Sequence, residues 1–379
     1  MDGSPGRSIE LTPVAPTMQR EKIFVTRSFL PPRAELDAYL DRVWASHQLT
    51  NNGQLVQELE ARLKDRLGVE HLFFVGNGTI ALQIAIRALD LEGEIITTPY
   101  SYVASTGSIL WERCVPVYAD IDARTCCIDP ARIEERITPK TSAILATHVY
   151  GLACEVEAIE ALAEKHGLKV IYDGAHAFGS RYKGRSLMGF GDITTGSFHA
   201  TKIFHSVEGG CIIAKDADVA RRIILMRQFG HANDDHFMMG VNGKNSEFHA
   251  AMGLCVLDHF PEILADREAQ WTRYAEAFRD DVACALMPID PDLRYNHSYF
   301  PIVFDTHGRM LAAQEALFAE DVVARRYFHP SLDELPYLKE AHPCPISRSI
   351  AARVLCLPMF SGFTATDQRR VIAAIRSVC

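Results

Sequence analysis

The 379-residue sequence predicts an α/β protein, with a large domain built on a mostly parallel sheet and a smaller α+β domain at the C-terminal end. Three observations predict it. Short apolar runs alternate with helix-period segments between residues 72 and 214, which is how a parallel sheet with crossover helices is written. The chain is longer than one hydrophobic core usually grows. Beyond about residue 255 the alternation gives way to a long helical stretch, so the expected division is a disordered tail over 1–21, a large domain over 22–258 and a small domain over 259–379.

The first seventeen residues, MDGSPGRSIELTPVAPT, are rich in Pro, Gly and Ser, and carry neither an apolar signal-peptide core nor an amphipathic Arg face. From residue 34, Leu36, Leu40 and Val43 mark a helix. Leu55, Leu59, Leu63 and Leu67 mark a second, which Gly68 should stop, and LTNNG between the two is a turn. The sheet pattern then runs through strand 72–75, helix 79–89, strand 95–98, helix 103–111, strand 116–120, strand 142–148, helix 155–167, and strands 169–173, 194–199 and 210–214. Trp271, Tyr274 and Phe278 lie on the long helical stretch. A strand at 299–304, a helix near 309–319 and a terminal helix at 366–378 complete the small domain.

A net charge of −9 argues against a nucleic-acid partner, which would need a broad basic surface. No run approaches the ~18 apolar residues that span a bilayer, so no membrane association is expected. Ten cysteines without a CxxC pair read as reduced thiols of a cytoplasmic protein.

Ligands of open α/β sheets bind where strands end. Gly76-Asn77-Gly78-Thr79 joins a strand to a helix, and the free amides and dipole of a helix N-terminus suit a phosphate. The same residues fit GxGxxA through Gly76, Gly78 and Ala81, but strand 95–98 runs into Pro99 and Tyr100 without the carboxylate a dinucleotide ribose needs. Asp173 closes strand 169–173, where it could equally cap a helix. SFHATK brings Ser197, His199 and Lys202 out of another strand end, with Lys202 among small and apolar neighbours. A desolvated lysine becomes a nucleophile toward an aldehyde.

Phosphate site, strand-end carboxylate and desolvated lysine together suit pyridoxal phosphate, whose ring nitrogen needs a carboxylate to stay protonated. No two of the three would be specific; all three in this order are. A metal cluster of His148, His176, His199 and His205 with Asp173 lacks any recognised ligand spacing.

With those residues in view, the sequence resembles the DegT/DnrJ/EryC1/StrS family of sugar aminotransferases, which are fold-type-I pyridoxal-phosphate enzymes. The similarity runs from about residue 22 to the C-terminus, through GNGTIALQIAIRAL, PYSYVAS, PVYADID, YDGAHAFGS, SFHATKIFHSVEGG and GVNGKNSEFHAAMG. The resemblance implies that Lys202 is the Schiff-base lysine and Asp173 the partner of the ring nitrogen. It places Gly78, Thr79 and Ser197 at the phosphate, His176 beside the phenolic oxygen and Tyr102 on the ring face. Asn242 would reach the phosphate of the neighbouring subunit in a homodimer with shared active sites, and Lys244 and His329 would meet the substrate.

Two departures stand out: Lys244 replaces the family's usual arginine, and Asn77 its usual phosphate-site serine. EIITTPYSYVAS, ILATHVYG and SFHATKIFH look most like the enzymes that aminate C-4 of dTDP-4-keto-6-deoxyglucose with glutamate as donor. Enzymes giving the galacto epimer or acting at C-3 are similar alternatives. Related dehydratases carry histidine in place of the lysine, so Lys202 argues against that activity, and a non-catalytic regulator would have no need of it.

Overall fold

The computed structural model describes residues 21–338 and 342–379. The expected N-terminal tail therefore lies outside the described residues, apart from position 21. Helices α1 (Arg33–Ser46) and α2 (Gln54–Leu67) come first, with Asn51 and Asn52 turning the chain between them in left-handed conformations. Gly68, at φ 68°, ends α2 because only a residue without a Cβ takes that conformation freely. The buried carboxylate of Glu247 accepts the Leu55 and Val56 N–H groups at 2.8 and 3.0 Å, satisfying amides that the first turn of α2 leaves unpaired.

The central sheet contains β1 (His71–Val75), β2 (Glu94–Thr97), β3 (Val115–Tyr118), β4 (Thr141–Thr147), β5 (Lys169–Asp173), β6 (Ile193–Ser197) and β7 (Gly210–Ala214). Their spatial order is β1-β7-β6-β5-β4-β2-β3, all parallel except β7, which runs against both neighbours. Helices α3 (Gly78–Ala88), α4 (Ala104–Trp111), α5 (Val156–His166) and α6 (Ala217–Met226) accompany the sheet. The apolar faces of α3 and α6 close over Val75, Ile95, Leu145, Ile171 and Ile212 in one buried cluster. Helix α6 is not among the elements the sequence pattern marks.

The long helical stretch is two helices, α7 (Glu247–Asp258) and α8 (Phe260–Phe278), separated at His259 with Pro261 in the first turn of α8. Phe260 and Ile263 of α8 pack in the core of the large sheet, whereas Tyr274 and Phe278 pack in a second core. That core belongs to an antiparallel sheet of β8 (Cys284–Leu286), β9 (Phe300–Phe304) and β10 (Val354–Leu357), with α9 (His307–Ala319) and α11 (Ala365–Arg376), whereas Ile350 and Ala351 of α10 (Pro345–Arg353) pack in the first core. Ile23 also sits in the second core, since Ile23–Phe24 pairs in parallel with Val322–Val323. The segment expected to open the large domain thus packs on the C-terminal half.

Candidate active site

Register brings the expected residues to one edge of the sheet. Gly210 stands opposite both Val75 and Ser197, and Asp173 lies between Thr147 and Thr195, so the C-terminal ends of β1, β5 and β6 face a common cavity. Its volume is about 400 Å³, within the size range of cofactor pockets. A larger cavity of about 640 Å³ lies away from this edge, between Cys284, Met287, Ile350 and Arg353, and holds none of the expected site residues.

At one end of the cavity stands the N-terminus of α3. The Asn77 side chain accepts the Ile80 N–H at 2.8 Å, so the residue that replaces the expected serine caps the helix. Gly78 and Thr79 follow in the first turn, where amides have no partner within the helix and can face an anion. A Cβ on Gly78 would sit 3.0 Å from that of Ser197, so glycine is what lets this turn approach the end of β6. Behind it, the Gly76 N–H donates to the Gly243 carbonyl at 2.9 Å.

At the other end lies Asp173. Its two oxygens accept the Ala175 N–H at 3.0 Å and the Ser105 hydroxyl at 2.9 Å, which leaves further acceptor sites free. Burial pushes its pKa up, while these two bonds and the Lys202 charge pull it down. Burial lowers Lys202 to about 8, against the opposing pull of Asp173. The Lys202 ammonium also lies 3.5 Å from the Tyr299 hydroxyl. A lysine so placed reaches its neutral, nucleophilic form close to neutral pH.

His176 is buried, and burial pushes its pKa well below the usual value. Its Nδ1 accepts the Tyr150 N–H at 3.1 Å, so the neutral ring carries its proton on Nε2 as a donor. Phe328 stacks parallel to it at 5.6 Å. Tyr102 lines the cavity and is 63% exposed, free to cover a flat ring from the open side.

Three expected residues are absent from this chain's cavity wall. Asn242 is exposed and forms a bridge with Gln228, Lys244 lies 4.8 Å from the centre of the Phe229 ring, and His329 is exposed. The physical reason for the first two is that residues 242–245 run behind the phosphate-facing turn, tied there by Gly243 to Gly76 and by the Asn245 amide to the Val75 carbonyl.

Several residues join the site without having been anticipated. Ser105, in the first turn of α4, fixes Asp173, and its hydroxyl also bonds that of Ser101 at 2.9 Å; nothing in the residue pattern marks either serine. Tyr299, Arg325, Tyr327 and Phe328 form the outer wall, with the Tyr150 hydroxyl donating to the Tyr327 carbonyl. Glu208 is a further addition at the rim, 3.6 Å from His199, which the sequence places beside Ser197 and Lys202. Among the described residues no group of three or more His, Cys, Asp and Glu side chains could hold a metal ion, and no helix is long and apolar enough to cross a membrane. All ten cysteines are free thiols, only Cys379 being exposed.

The arrangement offers anion-binding amides, a carboxylate, a neutral histidine donor and a nucleophilic lysine around one cavity, which fits pyridoxal phosphate group by group. Comparison with known proteins agrees. A dTDP-4-amino-4,6-dideoxy-D-glucose transaminase of Shigella dysenteriae is 39% identical over 364 residues, covering 94% of this chain and 99% of that protein. One from Escherichia coli is also 39% identical, covering 91% and 95%. The crystal structure of DesI in the presence of its TDP-sugar product superposes with a TM-score of 0.90 at 36% identity, covering 94% of this chain and 93% of that one. With the sequence profile of that family matching residues 32–376, the chain belongs to the DegT/DnrJ/EryC1/StrS aminotransferase family, and its cofactor is pyridoxal phosphate.

Proposed function

We propose that this enzyme transfers an amino group from L-glutamate to C-4 of dTDP-4-keto-6-deoxy-D-glucose, giving dTDP-4-amino-4,6-dideoxy-D-glucose. The observation that carries the reading is the convergence of Lys202 and Asp173 on one cavity with the N-terminus of α3, in a chain 39% identical to transaminases named for that product. Pyridoxal phosphate, when bound, supplies the carbonyl that carries nitrogen from donor to acceptor and a ring that accepts electrons.

The chain's own residues do the rest. Gly78, Thr79 and Ser197 hold the phosphate, Asp173 keeps the ring nitrogen protonated, His176 donates Nε2–H to the phenolic oxygen, and Tyr102 covers the ring. Lys202 holds the cofactor at rest; once released, its Nζ takes the proton from the donor's Cα and delivers one to the sugar's C-4. A lysine that titrates near 8 exchanges protons in both directions at cellular pH.

The enzyme works as a cytoplasmic homodimer in which Asn242, on the exposed loop beside the phosphate-facing turn, serves the neighbouring chain's cofactor. Lys244 and His329, which lie off this chain's own cavity wall, are the further substrate contacts that the family resemblance implies. The test is to incubate the enzyme with glutamate and a panel of keto nucleotide sugars and to solve the product by NMR. An equatorial amine on C-4 of the dTDP-linked sugar is the expected result. Nitrogen on C-3, or an axial C-4 amine, would replace this substrate assignment with another of the same family.

A further inference from the structure

Both substrates in the proposed reaction are anions, one a nucleoside diphosphate ester and the other a dicarboxylate, and a two-step transfer admits them in turn to one cavity. A cation on the wall that is neither consumed in the chemistry nor already neutralised would suit both. Lys244, the residue expected to meet the substrate's charge, lies against Phe229 and off this wall. Among the described residues lining the cavity, the only lysine or arginine besides Lys202 is Arg325.

Arg325 and Arg326 are adjacent and face opposite ways. The backbone of Arg325 bridges to Cys356, the Cys356 N–H donating to its carbonyl at 2.8 Å. From that fixed point the Arg326 guanidinium turns inward to the Ala351 and Ala352 carbonyls. The Arg325 guanidinium turns to the cavity and lies 5.4 Å from the centre of the Tyr327 ring. It makes no ion pair among the described residues. The two carboxylates on the wall are engaged elsewhere: Glu208 lies 3.6 Å from His199, and Asp173 accepts the Ser105 hydroxyl and the Ala175 N–H.

Tyr299 and Tyr327 step the distance back to the reacting centre: their rings are 5.9 Å apart, and the Tyr299 hydroxyl reaches Lys202. The fork is thus set apart from the reacting lysine, as the far end of an extended substrate requires. A planar guanidinium with two parallel N–H donors matches a phosphate or a carboxylate, and stacking on an aromatic ring preorganises it.

We propose that Arg325 is the anion-binding residue of this cavity, gripping the diphosphate of the nucleotide sugar in one half-reaction and the distal carboxylate of the amino donor in the other. The inference rests on the nucleotide-sugar reading above, and its test separates the two. dTDP binding to the cofactor-loaded enzyme is measured by calorimetry, and reaction with glutamate by the loss of the cofactor's visible absorption, for wild type, R325Q and R325K. Loss of charge-assisted bonds should weaken dTDP binding about tenfold or more in R325Q, and raise the glutamate concentration for half-maximal rate similarly, with R325K in between. The resting spectrum should not change, because Arg325 is not expected to touch the cofactor. A defect toward only one ligand overturns the shared role and leaves Arg325 with that anion alone. Normal behaviour of R325Q toward both ligands overturns it, as does an altered resting spectrum, which would mean that the cofactor seat itself had moved. A wild-type enzyme that reacts with glutamate but ignores dTDP overturns the nucleotide-sugar reading instead.

Discussion

The inner face of the cavity and its outer wall are assembled in different ways. Gly78, Asp173 and Ser197 each stand at or just beyond the end of a strand of one sheet, and Lys202 follows five residues after β6, so the register of that sheet alone brings them together. Tyr299, Arg325, Tyr327 and Phe328 come from the C-terminal half and are positioned by contacts that span the chain: the Arg325 bridge to Cys356, and Tyr150, which donates to the Tyr327 carbonyl and stacks on Phe328. The difference teaches a division of labour. On the reading proposed above, groups that act on the cofactor sit on the rigid sheet edge, and a wall that would meet the variable part of the substrate is built beside the separate C-terminal sheet, where it can change without disturbing them.

If that division is right, changes on the inner face should strike turnover while changes on the wall strike affinity. Asp173→Asn removes the charge that keeps the ring protonated and keeps the shape, so kcat should fall by about 10²–10³-fold, the scale of a lost preorganised electrostatic contact, in steady-state assays of a folded, cofactor-loaded variant. A near-normal kcat would break the comparison at its strongest point. Ser105→Ala should be milder, about tenfold in kcat/KM, for one hydrogen bond to a carboxylate. It also carries a sign. The Ser105 bond pulls the Asp173 pKa down, so its loss raises that pKa and the carboxylate is neutralised at a higher pH. The acid limb of the pH–rate profile should therefore move to higher pH, and a limb that stays in place would show that Ser105 is merely packing.

The same contrast explains what the sequence reveals. Asp173 and the turn at Gly78 are legible because a strand pattern ending in Asp, or running into Gly-rich residues before a helix, fixes where those groups point. Lys202 is legible through its small and apolar neighbours in SFHATK. Tyr299 gives no such signal: it precedes β9, and its approach to Lys202 follows from how the two cores pack through α8. The place of Ile23 gives no signal for a related reason, since the pairing of Ile23–Phe24 with Val322–Val323 joins residues some three hundred positions apart. The capping role of Asn77 could have been read, because Asn followed by a helical run is a cap signature. Asn242, Lys244 and His329 lie off the wall for a reason no residue pattern carries: residues 242–245 are held behind the phosphate-facing turn by the Gly76–Gly243 and Asn245–Val75 hydrogen bonds, and His329 is exposed.

The most direct test of the whole account is to reduce the purified, cofactor-loaded enzyme with borohydride, digest it and map the modified peptide by mass spectrometry. The expected result is a yellow protein that bleaches on reduction, with the pyridoxyl phosphate group on Lys202 and none in Lys202→Ala. A modification on any other lysine, or a protein that takes up no pyridoxal phosphate, would contradict it.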